Sequence, residues 1–461
     1  MQDLKTDFVV HQSNSHARSE AFAGSTRGAL TLACAWVLVC ASLHAGEGVP
    51  ENALTATSVT KAPLIDGNLD DEAWANVPWT ADLHTFPQFK ACKFPGHVKI
   101  AYDFRNLYIA FETKDPDIQA EKRERDGAMW EDDDLEVFID AAGRGDHYLE
   151  IGVNALNCVY DYLMIRREGD HGPGAFPEIT LRGLQTASGR LKDGGWTVEM
   201  AIPWHEIHSA PRVPPQKGDV WRINFVHCDK NKDGYMACTL ADIKGSHEPK
   251  NFLPLIFDGS ALEKQREADV AAADQALKTY DPKRAVWRLG EHLDDVEAAS
   301  SRTGPLPKGR GGYVAKEFFG RVAKRDRPGA EPKDAGPVAV VNIHPSDRDF
   351  PDTYDHVYVK LPKLDAEKLV LWYRMDPKVE KALAEGGADG VGLSVEVQEP
   401  PLEGQPPKWR RLADVYLFST HWGLTEITVP KDATLRLSVD RGPATFGFDT
   451  GEIALEAEPA K

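Results

Sequence analysis

The sequence predicts a mainly β protein: two β-sandwich, jelly-roll-like domains joined by an α-helical hairpin. Short runs of alternating apolar and polar residues recur along most of the chain, and turn-forming Gly, Pro, Asn and Asp residues separate them. One stretch near the middle has a helical period instead. We therefore divide the chain into a leader (1–45), a first sandwich (50–259), a hairpin connector (260–302) and a second sandwich of unassigned role (310–461).

The composition is that of an ordinary globular protein. With 461 residues, of which 42% are hydrophobic and 27% charged, the chain is long enough for two or three domains with separate cores. The formal net charge of -18 at pH 7 would repel phosphate backbones and anionic lipid surfaces. We therefore expect no nucleic-acid partner.

An apolar run near the N-terminus indicates export. It follows Arg27 and extends from Ala29 to Ser42, which is too short to span a bilayer but typical of a secretory signal. Small residues after it make Ala45 a candidate cleavage point. We expect a periplasmic, extracellular or cell-surface protein whose mature chain has no membrane span, and a short buried helix is the alternative.

Alternation at period two gives the strands of the first sandwich one apolar face each. The clearest stretches are Val98–Tyr102, Leu107–Phe111, Leu135–Ile139, Trp196–Ile202 and Trp221–Phe225. Tryptophans inside such patterns, and Trp74 at a helix entry, are predicted to be buried.

Two helical patterns follow the first sandwich. Ser260-Ala-Leu-Glu263 matches a capping box and predicts a helix to about Tyr280. Asp281-Pro282 is predicted to cap a second helix, with an apolar face from Val286 to Val296. The two helices would form the hairpin connector.

The C-terminal part is predicted to be a second sandwich, because β-type segments alternate there with Pro- and Gly-rich turns. The candidate strands read VYVKL, LVLWYRM, VGLSVEV, TEITVP and LRLSV. Trp372, Trp409 and Trp422 are expected to pack in its core, and a second binding face is the alternative.

Four cysteines follow the leader: Cys92, Cys158, Cys228 and Cys238. An even number in an exported chain permits two disulfides, although spacing does not fix their connectivity. A hairpin that turns around Asp233 would place Cys228 opposite Cys238, close enough to form a bridge.

The tip of the same hairpin contains candidate calcium ligands. Asp229, Asn231 and Asp233 supply side-chain oxygens at alternate positions before Gly234, as at the start of an EF-hand loop. The twelfth position of the loop is Leu240 instead of an acid. A solvated turn is therefore the alternative.

A run of acids follows Trp130. Asp132, Asp133, Asp134 and Glu136 offer the paired carboxylates that glycoside hydrolysis needs, but adjacent residues of a strand point to opposite faces. The sequence has no GxSxG, HExxH, paired CxxC or complete Walker A motif, so we expect no catalytic site and no organic cofactor. A second candidate calcium cluster consists of Asp115, Asp117, Asp132 and Asp133.

Several ordered segments carry a resemblance to a known family. They are Ile65–Trp74, Val98–Asp117, Trp130–Asp140, Gly194–Trp204 and Gly218–Phe225. Together they closely resemble family 9 carbohydrate-binding modules, within the wider DOMON-like superfamily, over about residues 55–258. The resemblance implies a noncatalytic β-sandwich that binds sugar, at glycan reducing ends, with structural calcium.

The resemblance also implies particular sugar contacts. Trp130 matches one of two Trp residues that enclose the sugar ring in the family, where an apolar ring face stacks on sugar C–H groups. Glu136 matches a ligand-binding acid and points away from the predicted core face. Asn154 matches a polar sugar contact, whereas Gly152 stands where the family has an Arg donor.

The family's second Trp is missing from this sequence. At its place, before a P-x-x-F motif, this chain reads GSHEPKNF and offers Ser246 or His247. His247 is the candidate for the second stacking position, and capping of the loop is the alternative.

The leading hypothesis is an exported, noncatalytic protein that binds a polysaccharide or oligosaccharide, as an accessory in polysaccharide binding or breakdown. A DOMON-type haem module is one alternative, although the CxxCH attachment motif is absent. Its candidate axial ligands are Met129, Met164, His147 and His227. A glycoside-hydrolase-associated enzyme is the other alternative, with its site in the C-terminal half. Its candidate residues are His344, Asp347, Asp349 and Asp355.

Overall fold

The computed structural model describes residues 52–166 and, with gaps, residues 173–459. The larger gaps are 301–303, 314–318, 324–336, 344–356, 382–390, 401–408 and 441–450, and shorter ones interrupt the remaining chain. The predicted leader lies outside the described residues, as do His344, Asp347, Asp349 and Asp355. The described protein is mainly β, as predicted. Residues 51–461 cluster as one compact unit, so the boundary between two sandwich domains stays a prediction.

The first sheet contains 13 strands. Their bounds are β1 Leu54–Ser58, β2 His84–Thr85, β3 Gly96–Tyr102, β4 Asn106–Thr113, β5 Asp134–Asp140, β6 His147–Asn154, β7 Val159–Ile165, β8 Gly174–Phe176, β9 Gln185–Arg190, β10 Trp196–Pro203, β11 Val220–Asn231, β12 Gly234–Thr239 and β13 Leu253–Phe257.

The sheet curls so that its two halves contribute to one core. Its order is β8-β7-β6-β5-β11-β13-β1-β3-β4-β10-β9, and β12 pairs with both β11 and β2. Strand β1 joins the halves, since Leu54–Ala56 pair with β13 and Thr57–Ser58 pair with β3. Apolar residues predicted from period-two alternation, among them Val137 on β5 and Ile109 on β4, are buried in the shared core.

Helices and 3-10 turns lie between the strands. The α-helices are α1 Glu72–Ala75 and α2 Ser260–Leu277, and 3-10 turns occupy Met129–Glu131, Trp204–Glu206, Pro249–Asn251, Leu289–Glu291 and Pro377–Val379. The helix α2 is confirmed, but its predicted capping box is wrong. Gly259, with a left-handed backbone, is the residue before the helix, and the Ser260 hydroxyl donates to Asp258 instead. In the described part of the chain, no helix combines the length and hydrophobicity needed to cross a bilayer.

The C-terminal strands form further sheets. Their bounds are β14 Trp287–Arg288, β15 Glu297–Ser300, β16 Gly304–Pro305, β17 Lys308–Gly309, β18 Gly312–Tyr313, β19 Phe319–Ala323, β20 Val340–Ile343, β21 Val357–Lys360, β22 Lys368–Met375, β23 Val391–Gln398, β24 Trp409–Leu417, β25 Gly423–Thr428, β26 Leu435–Asp440 and β27 Gly451–Glu458.

Two of these sheets enclose a common core. One has the order β19-β20-β27-β22-β25 with β14 beside β27, and the other has the order β16-β15-β21-β26-β23-β24. The five strands predicted from sequence correspond to β21, β22, β23, β25 and β26 and are confirmed. Trp372 and Trp422 are buried, as expected, beneath Ala273 of α2.

The predicted second helix of the connector is wrong. Trp287 and Arg288 pair with Ala457 and Glu456 of β27 as a short strand, and a single 3-10 turn follows. The Arg288 Nε donates to a buried Glu456 carboxylate at 3.0 Å. Pairing with a distant strand therefore overrides the local helical pattern, and α2 stands without a helical partner in the described connector.

The predicted disulfide is also wrong. Cys238 is bonded to Cys92, and Cys228 is a free, buried cysteine. In the β11–β12 hairpin, Cys238 lies opposite His227, and Cys228 lies opposite Ala237. This register differs by one residue from the predicted one, and such a shift places two residues on opposite faces of the sheet. Cys238 accordingly packs in the shared core, and Cys228 packs beneath the other face.

Candidate functional site

A pocket of about 270 Å³ opens on the face of β5, β6, β7, β11 and β12 that points away from the shared core. Its lining includes Trp130, Glu136, Glu150, Tyr162 and His247. Strand alternation creates this face, because Glu136 and Phe138 on β5 point opposite to Leu135, Val137 and Ile139. The predicted outward orientation of Glu136 is thus confirmed.

Trp130 and Tyr235 are the two exposed large aromatic residues among the described residues that line the pocket. Trp130 lies in the 3-10 turn Met129–Glu131, anchored by the fully buried Met129, and 39% of Trp130 is exposed. The ring of Tyr160 meets the Trp130 ring edge-on, with 5.6 Å between ring centroids and an interplanar angle of 88°. This perpendicular contact packs Trp130 against a fully buried ring. Trp74, Trp196 and Trp221 are buried, as the sequence predicts.

Buried carboxyl groups form the floor of the pocket. The Tyr160 hydroxyl lies 3.0 Å from Glu136 Oε1 and 3.0 Å from Glu150 Oε1. Burial raises the pKa of both carboxyl groups, and repulsion from Glu150 raises the pKa of Glu136 further. A tyrosine hydroxyl has a single hydrogen to donate, so it cannot serve two ionised carboxylates at once.

A third acid, Asp134, extends this floor. Burial raises its pKa, and the nearby Glu136 raises it further. Neither carboxylate oxygen of Asp134 makes a hydrogen bond of ordinary geometry among the described residues. Its neighbour Cys228 offsets part of the rise in the Asp134 pKa that burial causes. Asp134, Glu136 and Cys228 bring one potential ligand atom each within 4.8 Å of one another.

His247 lies at the rim of the pocket. In sequence, it stands where the resemblance implies the second Trp. Its Nδ1 is 3.0 Å from the Tyr148 hydroxyl and 3.7 Å from Glu150 Oε2, and its ring meets Phe138 edge-on. Burial lowers the pKa of His247, so the neutral imidazole is favoured. His247 therefore both lines the pocket and holds its loop against β6.

The structure does not bring Asn154 to the pocket. Its side chain is fully buried, its Nδ2 donates to Asp132 and to the Lys122 carbonyl, and its Oδ1 accepts from the Cys158 N–H. Residue 152 has no room for a side chain, because a Cβ at this position would lie 1.9 Å from a ring carbon of Tyr160. This is why a Gly, and not an Arg, fits here. Tyr160 thus occupies the space that a side chain at 152 would need.

Sequence reasoning missed the pocket-lining residues Glu150, Tyr162 and Tyr235, and also the buried Tyr160, whose hydroxyl contacts Glu136 and Glu150. Glu150 shares its strand face with Tyr148, and Tyr160 shares its face with Tyr162 and Met164. Period-two alternation along β6 and β7 was the available signal, since it marks these polar and aromatic residues as a common face.

A separate acidic cluster lies at the end of the same strands. Asp115, Asp133 and Asp229 are buried, and each offers a carboxylate oxygen within 4.8 Å of the others. Asp133 accepts backbone N–H groups of Gln119 and Lys230, at 2.6 Å each, and burial raises its pKa to about 7. Asp115 Oδ2 has no hydrogen-bond partner among the described residues.

This cluster combines parts of the two predicted calcium sites. Asp115 and Asp133 come together as expected, whereas Asp132 accepts N–H groups of Glu121 and Lys122 elsewhere. Asp229, predicted as the first ligand of an EF-hand-like loop, lies in the same cluster. Asp233 and the side chain of Asn231 lie outside the described residues. The buried carboxylates and the unpartnered Asp115 oxygen fit a hard cation such as Ca²⁺.

The candidate haem ligands do not converge. His227 packs between Phe111 and Trp196 on the core side of the sheet, with Nδ1 3.0 Å from the Asp134 carbonyl. Met129 and Met164 lie in the hydrophobic cluster of the pocket face. His147 is half-buried next to Asp146. These four candidate ligands thus form no His–Met pair around a common cavity.

A β-sandwich with an open pocket, one exposed indole and polar groups on its floor belongs to the class of ligand-binding β-sandwich domains. Residues 65–251 match the family model described as "Carbohydrate family 9 binding domain-like". This part of the chain is a family 9 carbohydrate-binding-module-like domain.

Curated relatives include endo-1,4-beta-xylanase A of Thermotoga neapolitana, 28% identical over 168 residues, and endo-1,4-beta-xylanase A of Thermotoga maritima, 28% identical over 175 residues. Each match covers 35% of this chain and 14% of the relative. The chain therefore spans about one seventh of the length of these relatives.

Similar solved structures include a family 9 carbohydrate-binding module from Caldicellulosiruptor kristjanssonii in complex with cellotriose. It is 18% identical, with a TM-score of 0.35, and the match covers 45% of this chain and 94% of that one. A crystal structure of a protein from Bacteroides uniformis is 17% identical, with a TM-score of 0.38, and the match covers 45% of this chain and 99% of that one.

Proposed function

We propose that residues 65–251 bind a sugar ring of a polysaccharide or oligosaccharide in the pocket beside Trp130. The protein then acts as a noncatalytic accessory in polysaccharide binding or breakdown. The observation that carries this proposal is the exposure of Trp130 next to the buried carboxyl groups of Glu136 and Glu150. An apolar ring face beside a few polar groups is what a sugar, with its C–H faces and hydroxyl rim, requires.

Each of these groups would have a different role in sugar binding. The free face of Trp130 would stack on the C–H surface of the ring and exclude water without reading a particular hydroxyl. Glu136 and Glu150 would accept hydrogen bonds from hydroxyls and orient the sugar. His247 would contact the sugar from the opposite rim as a smaller ring than the family's indole.

Export supports an extracellular glycan as the ligand. The predicted leader 1–45 would direct the protein to export, and the Cys92–Cys238 disulfide fits an oxidising compartment. We therefore place the working protein in the periplasm, at the cell surface or outside the cell.

Structural calcium is part of the proposal. Asp115, Asp133 and Asp229 would hold the ion, which would neutralise carboxylates that burial otherwise disfavours. Gln119, in the loop before β5, and Lys230, near the end of β11, both donate their backbone N–H groups to Asp133. The ion would therefore hold this loop to the end of β11. Calcium then supports the pocket indirectly and does not contact the sugar.

Calorimetry with Trp130→Ala tests the function. The panel contains glucose, cellotriose and xylo-oligosaccharides, and Trp79→Ala is the control because Trp79 is similarly exposed at 37% but lies beside His97 on the other half of the sheet. We expect the Trp130 variant to bind at least about tenfold more weakly, a loss of about 1.4 kcal/mol, with an unchanged thermal midpoint. The Trp79 variant should bind as the parent does.

Three outcomes contradict the proposal. Equal binding by the Trp130→Ala and parent proteins would show that the sugar stacks elsewhere. A large fall in the thermal midpoint would show that Trp130 is a packing residue. Failure of the parent protein to bind any glycan in the presence of Ca²⁺ would refute the sugar-binding function itself.

A further inference from the structure

We propose that the pocket beside Trp130 selects sugars that carry an ammonium group, the amino sugars, over neutral sugars. This inference rests on the proposed function, because it concerns the same pocket. It adds the chemical class of the ligand, and it follows from the charges and hydrogen-bonding groups that line the pocket.

The charge of the pocket is one-sided. Glu136 and Glu150 line it, and Asp134 lies directly beneath. Among the described lining residues there is no Lys or Arg. Arg166 lies near His247 and Tyr148, where its charge lowers the pKa of each. A positively charged ligand would therefore meet uncompensated carboxyl groups.

The hydrogen-bonding groups of the pocket also favour an ammonium group. Tyr160 has one hydrogen for two carboxylate oxygens, and Glu150 Oε2 has no hydrogen-bond partner among the described residues, with His247 3.7 Å away. An ammonium group supplies three N–H donors and needs no acceptor on its own side. A neutral sugar hydroxyl supplies one hydrogen and brings no charge. The ammonium is thus the better complement to an acceptor-rich floor.

Aromatic rings complete the environment. Phe86, Trp130, Tyr162 and Tyr235 surround the acids in the pocket lining. Ring faces attract cations, most strongly when water is excluded, so the walls favour an ammonium as the floor does. The combination of an aromatic wall and a carboxyl floor distinguishes this pocket from one that merely stacks on a neutral ring.

Several titratable groups face the floor, and they predict a proton signature. Glu136 on β5 and Glu150 on β6 share the Tyr160 hydroxyl of β7. The other titratable groups around these two carboxyl groups are Asp134 on β5, Cys228 on β11, Tyr235 on β12 and His247. Their burial favours neutral forms, so carboxyl groups that retain protons at neutral pH must release them when an ammonium binds. The measured binding enthalpy would then depend on the ionisation enthalpy of the buffer.

The test compares matched ligands on the full chain by calorimetry at pH 7 and low salt. The ligands are β-1,4-linked trimers of glucosamine, N-acetylglucosamine and glucose. We expect the glucosamine trimer to bind at least about tenfold more tightly than the other two, with proton release for that ligand only. Equal affinity for all three trimers overturns the inference and leaves the sugar-binding function intact. Binding of none refutes both.

Glu150→Gln is the decisive variant, because it keeps the shape of the side chain and removes its charge. We expect it to reduce the glucosamine preference, measured as the ratio of the affinities for the glucosamine and glucose trimers, to less than about threefold. The ratio is the readout because Glu150 also contacts a neutral sugar in the proposed function. Glu72→Gln is the matched control, since Glu72 is an exposed acid paired with Lys61 far from the pocket. If Glu150→Gln does not fold, Glu136→Gln carries the same expectation, and an undiminished preference in the folded variant overturns the inference.

A metal ion is the competing cation, because Asp134, Glu136 and Cys228 together offer two carboxylates and a thiol. A Zn²⁺ titration therefore accompanies the sugars. Displacement of bound Zn²⁺ by the glucosamine trimer, but not by the glucose trimer, supports the inference. Tight Zn²⁺ binding combined with no preference for glucosamine assigns the acids to a metal and overturns it.

Discussion

Arg105 and Asp414, 309 residues apart in sequence, form an ion pair in which Arg105 Nε lies 2.7 Å and 2.8 Å from the two carboxylate oxygens of Asp414. Arg105 lies in the turn between β3 and β4, and Asp414 lies in β24. Beside this pair Phe104 stacks on Tyr416, with 5.1 Å between ring centroids and an interplanar angle of 6°. The first sheet and a C-terminal sheet are therefore held together by a charged contact and an aromatic contact side by side.

Loss of this ion pair should destabilise the protein. We expect Asp414→Ala to lower the free energy of unfolding by about 2 kcal/mol, because the Arg105 guanidinium is largely buried and would lose charged hydrogen bonds. Urea denaturation measures the change. Lys61→Ala, which breaks the exposed Lys61–Glu72 pair, is the control and should change stability by less than about 0.5 kcal/mol. Equal effects of the two variants would mean that Arg105 finds another partner.

The disulfide makes a second prediction. Cys92 and Cys238 close a loop of 146 residues, and such a bridge stabilises mainly by restricting the unfolded chain. Replacement of both by Ser should cost about 2–4 kcal/mol in denaturant unfolding. Cys158→Ser, at a half-buried free thiol, should leave the midpoint nearly unchanged. Peptide mapping that joined Cys228 to Cys238 would contradict the structure.

The strands of the first sheet could be predicted because the alternation of Leu135, Val137 and Ile139 records directly which face is buried. The hairpin register could not be predicted, since a shift of one residue moves Cys228 and Cys238 from the same face of the sheet to opposite faces. Arg288 shows a further limit: its partner Glu456 lies on a strand that comes much later in sequence, so its local helical pattern is overridden.

The same limit applies to the candidate site. Trp130 and Glu136 could be proposed from sequence because the family resemblance names their positions, and their sugar contacts stay predictions. Glu150 and Tyr160 belong to the same floor only because β5, β6 and β7 are neighbours in the sheet. Asp229 likewise joins Asp115 and Asp133 through the pairing of β11 with β5. Spacing along the chain carries no information on either association.

The calcium proposal predicts opposite pH dependences with and without the ion. Asp133 keeps its proton up to about pH 7 in the folded protein, against an ordinary value of 3.8. The folded state then binds more protons than the unfolded state between these values, so stability without Ca²⁺ should fall as pH rises through that window. Ca²⁺ requires the ionised carboxylates, so its stabilising effect should grow over the same window.

Thermal midpoints measured in chelator and in excess Ca²⁺ check both slopes. Asp133→Asn should weaken the Ca²⁺ effect strongly, because the amide keeps an oxygen ligand but removes one of the negative charges that hold the ion. Asp117→Asn is the control. The Asp117 carboxylate accepts a hydrogen bond from Gln119 and is not part of the cluster, and the substitution keeps the backbone N–H that Asp117 donates to Asp115. A calcium effect that survives in full in Asp133→Asn but disappears in Asp117→Asn would place the ion elsewhere.

A larger ring at position 247 should strengthen sugar binding. His247 lies at the pocket rim with 41% of its side chain exposed, so an indole has room to extend towards solvent. His247→Trp would supply a second aromatic face opposite Trp130, and an additional aromatic contact contributes about 0.5–1.5 kcal/mol. We therefore expect an affinity gain of roughly twofold to tenfold for the sugar that binds best. His247→Ala separates this gain from the loss of the Tyr148 hydrogen bond, because both variants lack that bond. Weaker binding by the Trp variant than by the Ala variant would show that this rim is closed to a second ring, and that a sugar contacts Trp130 from one side only.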